Sequence, residues 1–223
     1  MSLLPQYRHI VNPKLKHIYL TFDDEGNLVI KSPKVPQRKI EQLLLKKASW
    51  INNSREKIQQ KKGRAVDFSK TSECYYLGQP YPLGLTHHTK KRVKLDFDGE
   101  KFTLLYHTYD ERLFQNHLDR FYKNEALEQI PSHVAYWVEK MNFSPTDIRF
   151  RKTKRQWGSC SAKNALNFNT MIMKLPLDVI QYIIVHELAH IKHKHHQKAF
   201  WQLIERYLPD YKKRVQELKN YTT

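Results

Sequence analysis

Two histidines and a glutamate in the run His186-Glu187-Leu188-Ala189-His190 carry the strongest chemical signal in the chain. On a helix, positions four apart lie about 40° from each other, so His186 and His190 project from one side, a turn apart. Two imidazoles so placed fit two corners of a tetrahedral zinc site. Glu187, about 100° round the helix, reaches the water at the metal rather than the metal itself. That is the layout of a metal-assisted hydrolase with the carboxylate as general base. With 12 His in the chain and as many Glu, chance places such a motif about 0.03 times at this composition. The surroundings must therefore support it.

They do. Leu177 to Val185 precede the motif, and Pro176 is well placed as an early helical residue. Val179 and Ile183 share the face of the two histidines, while Ile180, Ile184, Leu188 and Ile191 cover the opposite side. A helix apolar nearly all round is a buried helix, and paired histidines inside one need a partner such as a metal. A catalytic zinc takes three protein ligands and keeps one open position. His193, His195 and His196 follow closely. His193 would continue the same helix and make a poor third corner unless the helix has already ended. His196, six residues after His190, lets the chain turn and approach from another direction, and His195 stays open as an alternative.

The elements that must position these groups are legible in outline. Residues 17–32 read as a hairpin, with strand-like HIYLTF and NLVIKS separated by Asp-Asp-Glu-Gly. Helical spacing follows through Ile40, Leu43, Leu44, Lys47 and Ile51, then a polar stretch to Gly63 that suits a frayed helix end or a linker. Residues 74–107 look β-rich, and Asp98-Gly99 between KRVKLDF and KFTLLYH is a strong hairpin signal. Helical period returns over 110–141, where Pro131 is expected to kink or divide the helix. Strands are expected at 148–153 and 165–173 around the polar loop KRQWGSCSAKN, and helices at 176–192 and 197–220, the latter interrupted at Pro209. The fold class is α+β. An N-terminal, mostly antiparallel β unit with one helix spans residues 1–108, and a metal-binding catalytic domain spans 109–223.

Composition sets the outer bounds. At 223 residues with 40% hydrophobic content, the chain can bury a real core. No run approaches the roughly 18 apolar residues of a membrane span, and the first residues lack a signal-peptide layout. Cys74 and Cys160 are the only cysteines, which excludes a disulfide framework or a Cys-rich zinc module. A cytoplasmic, non-membrane protein is the expectation; nothing in the sequence specifies an oligomeric state. The net charge of +17 attracts polyanions but suits a solvated Lys-rich surface equally. Arg149, Arg151, Lys152, Lys154 and Arg155 fall within seven positions. They read either as a charged edge strand protected from aggregation or as a grip on an anionic substrate or nucleic acid.

The segment RQWGSCSAKNALNFNTMIMKLPLDVIQYIIVHELAHIKHKHHQKAFW resembles the signature of the YgjP-like metallopeptidase family, relatives of the WLM and SprT-like zinc proteases. The matching residues are Arg155, Trp157, Gly158, Ser159, Cys160, Asn169, the HELAH run and His196 ahead of Phe200-Trp201. GNLVIKSP, Ala-Ser-Trp-Ile and the Tyr-Leu-Gly-x-x-Tyr element extend the likeness more loosely toward the N-terminus. Gln197 departs from the pattern, where Ser is commoner. The resemblance implies a zincin-like core with a backing helix within 110–141 and a short sheet whose strand 165–173 lines the cleft. It implies His186, His190 and His196 as ligands of one Zn2+ per chain and Glu187 as catalytic base. Arg155, Trp157 and Asn169 are candidate substrate-binding residues. Read from the residues alone, Trp157 and Cys160 are more simply structural, and Gly158 would let the backbone approach closely.

A peptide or protein is the first substrate class. Nucleotide pyrophosphatase activity of UTP type, assigned to some YgjP-like proteins, is the alternative. A non-catalytic nucleic-acid binder with a vestigial metal site is the third reading; Glu187 argues against it, since a structural site needs no general base.

Overall fold

The computed structural model describes residues 4–23, 26–70 and 72–222. Asp24 and Glu25, in the middle of the expected first hairpin turn, lie outside the described residues. The chain divides into two compact units, Met1–Lys61 and Lys62–Thr223. Several small mixed sheets and helices make it α+β. No helix among the described residues is long and apolar enough to cross a membrane.

In the first unit, strands β1 (Tyr7–Val11), β2 (Tyr19–Phe22) and β3 (Leu28–Ser32) order as β1-β3-β2. The central β3 carries Leu28 and Ile30 into a core shared with Ile40, Leu44 and Ile51. β1 has no counterpart among the expected strands, and it runs parallel to β3, so the unit is mixed rather than antiparallel. Two helices follow in place of the single one expected: α1 (Gln37–Lys46) and α2 (Ala48–Gln59). They break at Lys47, whose φ of −105° and ψ of 9° leave the helical region. The polar stretch after Asn52 stays helical because Arg, Glu, Lys and Gln are good helix formers even with a narrow apolar face.

The second unit opens with β4 (Ser72–Tyr76), β5 (Gln79–His87), β6 (Lys94–Phe97) and β7 (Phe102–Tyr106), ordered β4-β5-β7-β6. The Asp98-Gly99 hairpin forms as expected. Asp98 Oδ1 accepts from the amides of Glu100 and Lys101, each at 2.9 Å, and Gly99 takes a φ of +94°.

Helix α3 (Glu111–Met141) runs 31 residues through Pro131 without dividing. Asp110 caps its start by accepting from the Leu113 amide at 3.0 Å, a cap that contributes about 1 kcal/mol. Asn142, left-handed at φ 54°, ends it. The buried stripe of α3 serves two cores. Phe114 and Leu118 pack with Phe102 and Leu104 of the β4–β7 sheet, and Ile130, Val134 and Trp137 pack with the histidine-bearing helix. The second sheet thus closes its core on α3, across the boundary expected at 108/109, and both lie in the compact unit Lys62–Thr223.

A third sheet, ordered β8-β10-β9, comprises β8 (Asp147–Arg151), β9 (Gly158–Cys160) and β10 (Ala165–Asn169). β9 lies inside the stretch expected to be loop. β10 stops at Asn169, where a 3-10 turn (Thr170–Lys174) begins, so the strand expected to 173 is shorter. Helices α4 (Leu177–Lys192), α5 (Lys198–Tyr207) and α6 (Tyr211–Leu218) complete the unit.

Candidate metal centre

α4 is buried on nearly every side, with Val179, Ile180, Ile183, Ile184, Val185, Leu188 and Ala189 all in the core. At about 1.5–3 kcal/mol per fully buried large side chain, this packing fixes the helix that carries His186, Glu187 and His190. Two further ties bind it to α3: Gln181 accepts from the Trp137 indole N–H and lies 3.0 Å from His133 Nδ1.

The helix ends at Lys192, and His193 is already extended at φ −126°, ψ 98°. That early stop leaves His193 off the helix and brings His196 back over the histidine face. One nitrogen from each of His186, His190 and His196 lies within 4.8 Å of the others. His186 Nε2 and His196 Nε2 are 3.1 Å apart. Zinc–nitrogen bonds of 2.0–2.1 Å in tetrahedral geometry set the ligand-to-ligand edge at about 3.3 Å, so the pair is spaced to share one ion. His193 contributes its backbone instead: its carbonyl lies 3.0 Å from His190 Nδ1, which places that proton on Nδ1 and leaves Nε2 free. Tyr182 OH, 3.2 Å from His186 Nδ1, orients the second imidazole in the same way.

Burial, followed by the neighbouring His190 and His196, pushes His186 down to about 3. Burial also lowers His190. Both rings are therefore neutral at pH 7, the form a metal requires. Phe200 fills the space behind the cluster, with ring centroids 5.0, 4.7 and 4.7 Å from His186, His190 and His196. Exposed His196 is held by Trp201, which stacks on it at 5.6 Å and donates from Nε1 to its carbonyl at 3.1 Å.

Glu187 is 6% exposed. Burial pushes its carboxyl up to about 8, and among the described residues it has no hydrogen-bond partner. Its other wall is β9: a Cβ on Gly158 would meet Glu187 Oε1 at 2.7 Å and Cγ at 2.8 Å. The close backbone approach read from the sequence at Gly158 is thus made onto the carboxylate.

The family model for the YgjP-like metallopeptidase domain matches residues 16–221. The chain belongs to the YgjP-like family. A relative named UTP pyrophosphatase, from Escherichia coli (strain K12), is 41% identical over 148 residues, covering 63% of this chain and 87% of the relative. Among solved structures, the zymogen of Pyrococcus abyssi abylysin is 20% identical with a TM-score of 0.37, covering 43% of this chain and all (100%) of that one. That of Methanocaldococcus jannaschii jannalysin is 24% identical with a TM-score of 0.36, covering 41% and 98%. Both are described as metallopeptidase zymogens.

The remaining YgjP-like signature residues fall into different roles. Asn169 is buried, and its side chain is committed to the protein. Oδ1 accepts from the Met171 amide at 3.1 Å, while Nδ2 donates to the Thr153 and Gln156 carbonyls at 2.8 and 3.1 Å. It staples the loop ahead of β9 through these bonds. Trp157 is half-buried against the core, and its carbonyl accepts from the Asn169 amide at 2.8 Å. Arg155 is exposed on the same loop. Gln197 occupies the N-cap of α5 without a side-chain cap. A serine there would cap the helix, so this departure bears on α5 rather than on the ligands. The sequence marks Phe200 and Trp201 as signature residues and Tyr182 as part of the helix, without their places around the histidines. The i−4 spacing from His186 is the signal available for Tyr182.

Proposed function

We propose that this YgjP-like chain is a zinc-dependent metallohydrolase, and specifically a metallopeptidase, with His186, His190 and His196 as ligands and Glu187 as general base. The observation that carries the reading is the convergence of three imidazoles beside a buried carboxylate that nothing else in the protein uses. Zinc held there would polarise a scissile carbonyl, lower the pKa of a coordinated water, and by its charge draw Glu187 toward the carboxylate form. Glu187 takes the proton of the attacking water and passes it to the leaving amine. Its placement on Gly158 keeps the carboxylate from swinging away.

Sheet order supports a peptide substrate at the edge of the sheet. β10 is the central strand, paired on both sides, so it cannot receive a further strand. β9 is the edge beside Glu187 and, among the described residues, has no second partner. An extended peptide adding to β9 would run along the cleft.

Glu187→Gln tests the role directly. Turnover should fall about 10²–10⁴-fold while elemental analysis still finds one zinc per chain; wild-type turnover in that variant would refute it. The relative's name favours a second reading, hydrolysis of UTP at the same centre. Parallel assays of unstructured protein substrates and UTP decide between them, since Glu187→Gln should silence only the true reaction.

A further inference from the structure

The residues of the β8-β10-β9 sheet that alternate away from the metal helix are exposed at Asp147, Arg149 and Arg151 and half-buried at Ser159, Ala165 and Asn167. Leu166, Phe168, Ile148 and Phe150 point inward to the core. The alternate residues form the opposite face, and the register aligns Arg149, Asn167 and Ser159 across all three strands. Nothing large and apolar lies on that face. Two open recesses flank it. One, of about 630 Å³, is lined by Arg149, Lys163, Ser161, Thr146 and Asn167. The other, of about 320 Å³, lies at the β8 edge against α3 and is lined by Arg120, Lys123, Phe150, Arg151, Lys152 and Thr170. Ser159, Asn167 and Arg151 lie between them, Asn167 also lining the first recess and Arg151 the second.

The charge around these recesses is only partly neutralised internally. Asp147 pairs with Arg149 and Asp119 with Lys152. Arg120, Lys123, Arg151 and Lys163 are exposed and have no acidic partner among the described residues. Unpaired Arg and Lys interspersed with Asn, Ser and Thr are the side chains that hold phosphate oxygens. These four charges are spread over α3, β8 and the β9–β10 turn and do not converge on one point. An extended polyanion fits this layout better than a compact nucleotide.

We propose that this outer sheet face, together with the recess between β8 and α3 at its edge, is a docking surface for nucleic acid, engaged through its backbone phosphates without base readout. The surface shares β9 with the metal cleft: Ser159 lies on the docking face and Gly158 on the Glu187 face.

The test is fluorescence anisotropy of dye-labelled oligonucleotides with the full, zinc-loaded chain over about 50–200 mM salt. The variant carries Arg120→Glu, Lys123→Glu and Arg151→Glu; the control carries Lys14→Glu, Lys16→Glu and Lys34→Glu, an identical change in net charge placed in the first unit. The face variant should bind at least tenfold more weakly, with the duplex salt slope reduced by about 0.9 for each phosphate it no longer neutralises. Thermal unfolding checks that both variants fold, and Arg120→Gln, Lys123→Gln and Arg151→Gln, tested singly, should each flatten the slope. Four results would overturn the proposal. Binding could be absent at the lowest salt, or both variants could weaken equally, which assigns binding to diffuse charge. Poly-glutamate could bind more tightly than DNA of equal charge, or UTP could displace DNA at micromolar concentration.

Discussion

A methyl group at position 158 would sit 2.7 Å from Oε1 and 2.8 Å from Cγ of Glu187, inside any tolerable non-bonded contact. Either β9 or the carboxylate must then move. Gly158→Ala should cost about 1–3 kcal/mol of stability through overpacking and cut turnover at least tenfold by displacing the base. Ser159→Ala, on the opposite sheet face, should leave peptide turnover intact; unchanged melting and turnover in Gly158→Ala would disprove the contact. The tyrosine behind His186 makes a second prediction. Tyr182→Phe removes the hydroxyl that orients the ring, and competitive chelator titration should find zinc held about tenfold more weakly. The core-filling ring is kept, so an unchanged affinity would reduce Tyr182 to packing alone. The HELAH run announces two candidate ligands and the candidate base by spacing alone. His196 needs the family resemblance, because its approach depends on a helix ending at Lys192, and local sequence marks such an end poorly.

Several elements owe their placement to contacts that no local pattern carries. The turn between β4 and β5 places Leu77 and Gly78 at φ 47° and 84°. Their amides donate to the Met173 and Lys174 carbonyls at 2.8 and 3.2 Å, and a Cβ on Gly78 would meet Pro176 at 2.7 Å. The Tyr-Leu-Gly element thus seats the start of the metal helix, something its sequence could suggest only as a turn. Local signals suffice for the Asp98-Gly99 hairpin, for α4 and for the stripe of α3. They fail for the parallel pairings β1–β3 and β5–β7, which depend on residues far apart in the chain, and for three-residue β9, too short to show alternation. Lys174, at the end of the 3-10 turn, donates to the Gly63 carbonyl at 2.8 Å, and burial pushes its amine down to about 8. Unfolded, it titrates near the ordinary 10.5. Between those values the unfolded chain binds the extra proton, so stability contributed by this group rises with pH, at up to about 1.4 kcal/mol per unit. Denaturant melts of wild type and Lys174→Met from about pH 8 to 9.5 should show the wild type gaining on the variant. A constant gap would mean that Lys174 titrates normally.

Across the whole molecule, the division at Lys61/Lys62 predicts which part of the chain carries the metal chemistry on its own. All three histidines, Glu187, Gly158 and Tyr182 lie in the second unit, and so do the two cores that α3 joins. That unit also closes on its own ends. The Lys62 amide donates to the Asn220 carbonyl at 2.7 Å, the Thr222 amide donates to the Lys62 carbonyl at 3.1 Å, and Lys62 pairs with Glu217 at 3.2 Å. Residues 62–223 should therefore fold alone, melt cooperatively and hold one zinc. Residues 109–223, which begin where the sequence places the domain boundary, should not. Removing β4–β7 strips Leu83, Phe102 and Leu104 from a core with Phe114 and Leu118 and takes away the turn seated on Pro176. At about 1.5–3 kcal/mol for each large side chain uncovered, a handful of such exposures matches the 5–15 kcal/mol that stabilises a typical domain. Circular dichroism melts and zinc content of the two fragments separate these expectations. If 109–223 melted as cooperatively as 62–223 and held its zinc, the β4–β7 sheet would be an accessory to the metal centre and not part of the fold that builds it.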